Sequence, residues 1–122
     1  MKEIKFRVWL VEEKLMVYFG LFDTDMDYLY FAKDKDGNFD LFVDEENDII
    51  MQYIGLKDKN GSGKKAYHKD IISAYGYSNW IIEWYKNGWY LKQFDCENYK
   101  EIPEDFIIIG NIYENPELLE DK

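Results

Sequence analysis

The stretch from Trp80 to Gln93, WIIEWYKNGWYLKQ, limits what this chain can fold into more than any other. Two runs rich in aromatic and β-branched residues flank Lys86-Asn87-Gly88. Such side chains suit a pleated, half-buried surface, and Asn-Gly tolerates the positive φ of a tight hairpin turn. The pattern predicts a hairpin with Trp80–Tyr85 and Trp89–Gln93 as its strands. Alternate side chains of a strand face opposite ways, so Trp80, Ile82 and Trp84 share one side and Ile81, Glu83 and Tyr85 the other. One side can fill a core. Trp80, Trp84, Tyr85, Trp89 and Tyr90 supply more aromatic surface than one core face needs, and rings left exposed mark protein-binding surfaces. Cross-strand pairing within the fold is the alternative use of the same rings.

The rest of the chain extends the β pattern. Ile4, Phe6 and Val8 alternate with Lys5, Arg7 and Trp9, and Leu15–Phe19 is the natural partner strand. Tyr28–Phe31 and Phe39–Val43 flank a turn signal at Asp36-Gly37. Ile49–Ile54, Asp70–Tyr75 and Phe106–Tyr113 complete a set of eight or nine strands. Asp58–Lys65 is a loop, broken by Asn60-Gly61 and Ser62-Gly63. Asn115-Pro116-Glu117 begins a short helix, with Asn as cap, Pro at the first helical position and an acid in the first turn. The 122 residues are 47% hydrophobic and 19% aromatic, enough for a packed core. The expected fold is mainly β, a small barrel or sandwich, with an acidic lobe over 1–50 and a second domain over 51–122.

Charge narrows the function classes. The net charge is −10, and a field of that sign repels phosphate, which disfavours direct nucleic-acid binding. Carboxylates gather at Asp23, Asp25, Asp27, Asp34, Asp36, Asp40, Asp44, Glu45 and Glu46, a candidate acidic surface. A basic island of Lys57, Lys59, Lys64, Lys65 and Lys69 reads as a solvated loop or a local anion contact. No apolar run approaches the roughly 18 residues that span a membrane, and Met1-Lys2-Glu3-Ile4-Lys5 leads into no signal-peptide core. A lone Cys96 cannot form an internal disulfide and is expected to be inert and partly buried. These features place the chain in the cytoplasm.

Candidate chemistry fails on spacing. Asp34, Asp36, Asn38 and Glu45 match the ligand positions of a calcium loop, but Phe39 stands where that loop needs Gly for its sharp turn. Gly61-Ser62-Gly63-Lys64-Lys65 resembles a phosphate loop, yet Asp58 replaces its first Gly and Lys65 its magnesium-holding hydroxyl. His68 is the only histidine, so a zinc site of ordinary composition cannot be assembled. His68 and Asp70, two apart on one strand face, form the remaining acid–base pair. The sequence predicts no catalytic set, no cofactor and no metal.

Two segments carry a resemblance. IMQYIGLKDKNG, from Ile50 to Gly61, and IIGNIYENPELLE, from Ile108 to Glu120, are similar to motifs of the YopX family of phage and prophage proteins. Lys5-Phe6-Arg7-Val8-Trp9 looks like that family's start, with Leu10 in place of an acid. Trp84–Lys92 is similar to its Gly-containing hairpin. Tyr67-His68-Lys69-Asp70-Ile71 stands where relatives have Tyr-Glu-Gly-Asp-Ile, after two extra loop residues. The quoted motifs leave 20–48 unmatched. The resemblance implies a phage-encoded protein in a bacterial host cell and a small SH3-type barrel from about residue 52 onward. It brings no catalytic positions. The resulting expectation is a non-enzymatic protein that binds a host or phage protein, with self-association allowed. The alternatives are an acidic nucleic-acid mimic that inhibits a defence nuclease and, weakest, a small hydrolase or calcium-binding protein.

Overall fold

The computed structural model describes residues 5–20, 31–32, 41–42, 47–58 and 63–119. The described residues are mainly β, and the chain divides into two units, Met1–Tyr53 and Ile54–Lys122. No helix among the described residues is long and apolar enough to cross a membrane.

The first unit is built on β1 (Lys5–Leu10) and β2 (Leu15–Gly20), antiparallel from Lys5↔Gly20 to Leu10↔Leu15. Their turn closes with Lys14 N–H donating to Leu10 O at 2.8 Å, and Lys14 takes φ +54°. β5 (Ile49–Lys57) lies on the other side of β1, from Phe6↔Gln52 to Trp9↔Ile49. Val8, Leu10 and Val17 are buried together, with Leu15 packed against them. The predicted alternation breaks at Arg7, which is buried beside Val8. β3 (Phe31–Ala32) and β4 (Leu41–Phe42) form a short antiparallel ladder, and the rest of the two strands expected there lies outside the described residues. Outside the described residues lie Asp23, Asp25, Asp27, Asp34, Asp36, Asp40, Asp44, Glu45 and Glu46, and with them the calcium-like loop.

In the second unit, β6 (Lys65–Tyr67) is followed by β7 (Asp70–Ala74), β8 (Tyr77–Tyr85), β9 (Gly88–Gln93), β10 (Tyr99–Lys100) and β11 (Ile107–Asn111). Five of these form an antiparallel sheet in the order β10-β9-β8-β7-β11. Its core holds Ala66, Ile72, Ala74, Trp80, Ile82, Leu91 and Phe106. Trp80 and Ile82 are on one side of β8, and Leu91, paired with Ile82, continues that side onto β9. The last predicted strand is shorter than expected, because Phe106 enters the core before β11 begins. In place of the predicted helix there is a single 3-10 turn, Pro116–Leu119.

Candidate functional site

The predicted hairpin is β8–β9, with its turn one residue earlier than Asn-Gly suggests. Tyr85 pairs with Gly88, so the turn residues are Lys86 (φ +47°) and Asn87 (φ +66°). Two positive φ values in a two-residue loop give the twist that suits flanking strands. Gly88 avoids a separate crowding: a Cβ there would come within 3.2 Å of the Tyr90 ring, a tight contact.

The five aromatic residues singled out in the sequence separate into three environments. Trp80 is core, only 1% exposed, with its Nε1–H donating to Ala74 O at 2.8 Å. It is therefore removed from any surface role. Trp84 has the same strand parity but lies beyond the core and is 56% exposed. Its cross-strand partner Trp89 packs against the core and meets the Trp84 ring edge-on at 5.0 Å. Tyr85 and Tyr90 belong to the opposite side of the hairpin. Tyr85 packs edge-on to Tyr90 at 5.9 Å and stacks on Tyr99 at 3.8 Å. Tyr99, on β10, was missed in the sequence because its ring contact depends on a pairing too short to show as a strand. Lys86 lies 5.2 Å from the Tyr85 ring, a cation–π distance.

Beside Trp89 is a charged group that sequence spacing misassigned. His68 is in the turn between β6 and β7, not on a strand face with Asp70. The Asp70 carboxylate is buried and accepts from Tyr67 N–H at 2.8 Å. The His68 ring instead lies 5.2 Å from Trp89, and its Nε2 is 3.6 Å from Glu83 Oε1. Lys69 Nζ forms an ion pair with the same oxygen. Burial alone would push the Glu83 carboxyl up. The nearby His68 ring and the Lys69 ammonium outweigh burial and hold it below the usual value.

Of the basic island, Lys69 is engaged with Glu83, Lys64 is exposed, and Lys59 is outside the described residues. Cys96 is exposed, not partly buried, since it lies in the open link after β9.

The two quoted motif segments meet through a buried carboxylate. Asp58, 1% exposed, accepts from Lys64 N–H through Oδ1 at 2.9 Å and from Ile108 N–H through Oδ2 at 3.1 Å. Its own N–H donates to Lys64 O at 3.0 Å. Within the second segment, Asn111 Oδ1 accepts from Tyr113 N–H and Glu114 N–H at 3.0 and 2.8 Å. Asn111 Nδ2 donates to Glu114 Oε1 at 2.8 Å, and Asn115 Oδ1 accepts from Asn111 N–H at 3.2 Å. A Cβ at Gly110 would come within 2.6 Å of that Asn115 oxygen. A single interlocked turn thus requires Gly, Asn and Asn at 110, 111 and 115. The sequence profile of the YopX protein family matches residues 5–120.

The chain belongs to the YopX protein family. The match runs across residues 20–48, which the quoted motifs had left out. No curated protein matches the chain. At the turn where the resemblance led to an expectation of Gly, Lys69 takes φ +75°. A backbone shape that favours Gly is taken here by a residue with a Cβ, whose side chain is paired with Glu83.

Proposed function

We propose that this YopX-family protein is a non-enzymatic binding protein of phage or prophage origin that engages a host or phage protein in the bacterial cytoplasm. The observation that carries this reading is the exposed indole of Trp84, held edge-on against the anchored ring of Trp89. An aromatic ring fixed before binding loses little entropy on contact, and Trp and Tyr dominate binding hot spots for that reason. The Tyr85–Tyr90–Tyr99 group adds a second aromatic surface on the reverse side of the same hairpin. We also propose that the five-stranded antiparallel sheet of the second unit belongs to a small SH3-type barrel. Its support is the consecutive β7-β8-β9-β10 meander together with the return of β11 to the β7 edge.

The test is crosslinking in infected or prophage-carrying cells, followed by affinity measurement with the partner recovered. Trp84→Ala is expected to weaken binding by at least tenfold, about 1.4 kcal/mol or more. Ile109→Ala, at an exposed apolar position on β11, leaves the affinity unchanged. Equal losses in both variants, or none in either, would remove the reading. Competition with DNA for a nuclease, independent of Trp84, would favour the acidic-mimic alternative, which rests on the net charge of −10.

A further inference from the structure

We infer that His68 is a proton-responsive latch on the Trp84–Trp89 pair: gaining a proton, its imidazole draws the β6–β7 turn onto Glu83 and Trp89 and tightens the end of the hairpin. This regulates the surface proposed above and depends on that reading for its biological meaning, although the latch itself needs no partner.

The geometry supplies the argument. At 3.6 Å, the separation of His68 Nε2 from Glu83 Oε1 is longer than an ordinary hydrogen bond. A neutral imidazole gains little at that distance. An imidazolium gains a charge–charge attraction across a half-buried gap, where solvent screens less than at a free surface. The same imidazole ring lies against Trp89, and Trp89 in turn supports the exposed Trp84. One proton therefore acts on a carboxylate on β8 and an indole on β9 together.

Other charged groups of the described residues lie close in the sequence or the turn. Lys69, next in the turn, pairs with Glu83 from the other side, so the carboxylate is shared by two cationic partners once His68 is protonated. Asp70, at the start of β7, turns inward to the Tyr67 amide. Glu114, in the turn after β11, accepts from Asn111 Nδ2. Glu83 is held below the usual carboxylate range, so it stays ionised through the interval between about pH 5 and 8 in which histidines change charge. The proton that sets the latch is the one gained by His68, the only histidine in the chain.

Tryptophan emission is the readout, because an imidazolium beside an indole quenches it more strongly than a neutral imidazole does. On the full chain, titrated between about pH 8 and pH 5, the expected result is a single one-proton fall in emission. His68→Gln and Trp89→Phe each lose the step. Glu83→Gln shrinks it by at least about half, because the carboxylate that draws the cation in is gone. A step that survives His68→Gln, a flat wild-type curve, or an undiminished step in Glu83→Gln would each overturn the latch. Should a variant fail to fold, proton NMR of the wild type decides. The His68 Hε1 resonance and the Trp89 indole N–H must shift with one shared midpoint; separate midpoints overturn the proposal. None of these measurements uses a binding partner, so a failed latch leaves the binding reading standing, and a failed crosslinking experiment leaves the latch standing.

Discussion

Two places in the second unit concentrate unusual residues, and they use them in opposite ways. Around Asp58 and Asn111, buried polar atoms meet nearby partners, and the chain is tied to itself. At the end of the β8–β9 hairpin, large rings pack on one another yet keep surface in contact with water. A buried hydrogen-bonded carboxylate is costly to disturb and unable to meet a partner. An exposed ring contributes little to the fold and is free to meet one. The contrast separates residues that hold the YopX-type fold from residues available for its use, a distinction that the family motifs alone do not draw.

Replacing Asp58 strikes the first region hardest. Asp58→Ala strands the Lys64 and Ile108 amides and is expected to cost about 3–5 kcal/mol in urea denaturation, as two charge-assisted hydrogen bonds disappear together. Gly110→Ala forces a methyl group against Asn115 and should cost about 1–3 kcal/mol, lowering the thermal midpoint without changing the far-ultraviolet spectrum. The Glu83 cluster lies between the two regimes. Its folded carboxyl titrates below the ordinary value of 4.5, so its stabilisation is complete above that value and disappears as the pH falls through the lowered one. Wild-type stability should therefore drop more steeply than that of Glu83→Gln as acid is added below about pH 4.5; parallel curves would show that the ion pairs contribute nothing.

Smaller effects sharpen the contrast. Lys69→Gly relieves a positive φ but removes an ion pair, two opposing effects of similar size, and should move stability by less than about 1 kcal/mol. Its signature is a flatter acid-denaturation curve. Trp84→Ala should be the mildest for folding, under about 0.5 kcal/mol by chemical denaturation, while being the most damaging for binding. A large loss of stability in that variant would place Trp84 with the fold-holding residues and erase the comparison.

Much of this architecture was legible in the sequence. Apolar and aromatic runs bounded by turn signals located β1, β2, β5, β7, β8, β9 and β11, with clear alternation in the first and in the Trp80 run. β6 and β10 escaped notice because three and two residues are too few to show a period. The turn of the main hairpin was displaced by one residue because Asn-Gly is the commoner signal, whereas here Lys86 accepts positive φ and Gly88 makes room for Tyr90. The candidate site was half legible. Strand parity grouped Trp84 with Trp80, but how far the core extends along β8 is set by packing, and only the structure separates the buried ring from the exposed one. His68 was paired with Asp70 by local spacing, while its true neighbours, Glu83 and Trp89, come from strands brought close by the hairpin. Asp58 was read as part of a loop, since nothing nearby announces an acceptor for an amide fifty residues away.

That long reach has a consequence for how the molecule is made. On a growing polypeptide, Asp58 is present well before Ile108 has been synthesised. Until the C-terminal stretch emerges, one oxygen of this carboxylate lacks its native donor and must stay hydrated, so burial around it waits. The second unit is thus fastened late in synthesis: a product cut short ahead of Ile108 would have strands able to pair but would lack the Ile108–Asp58 hydrogen bond.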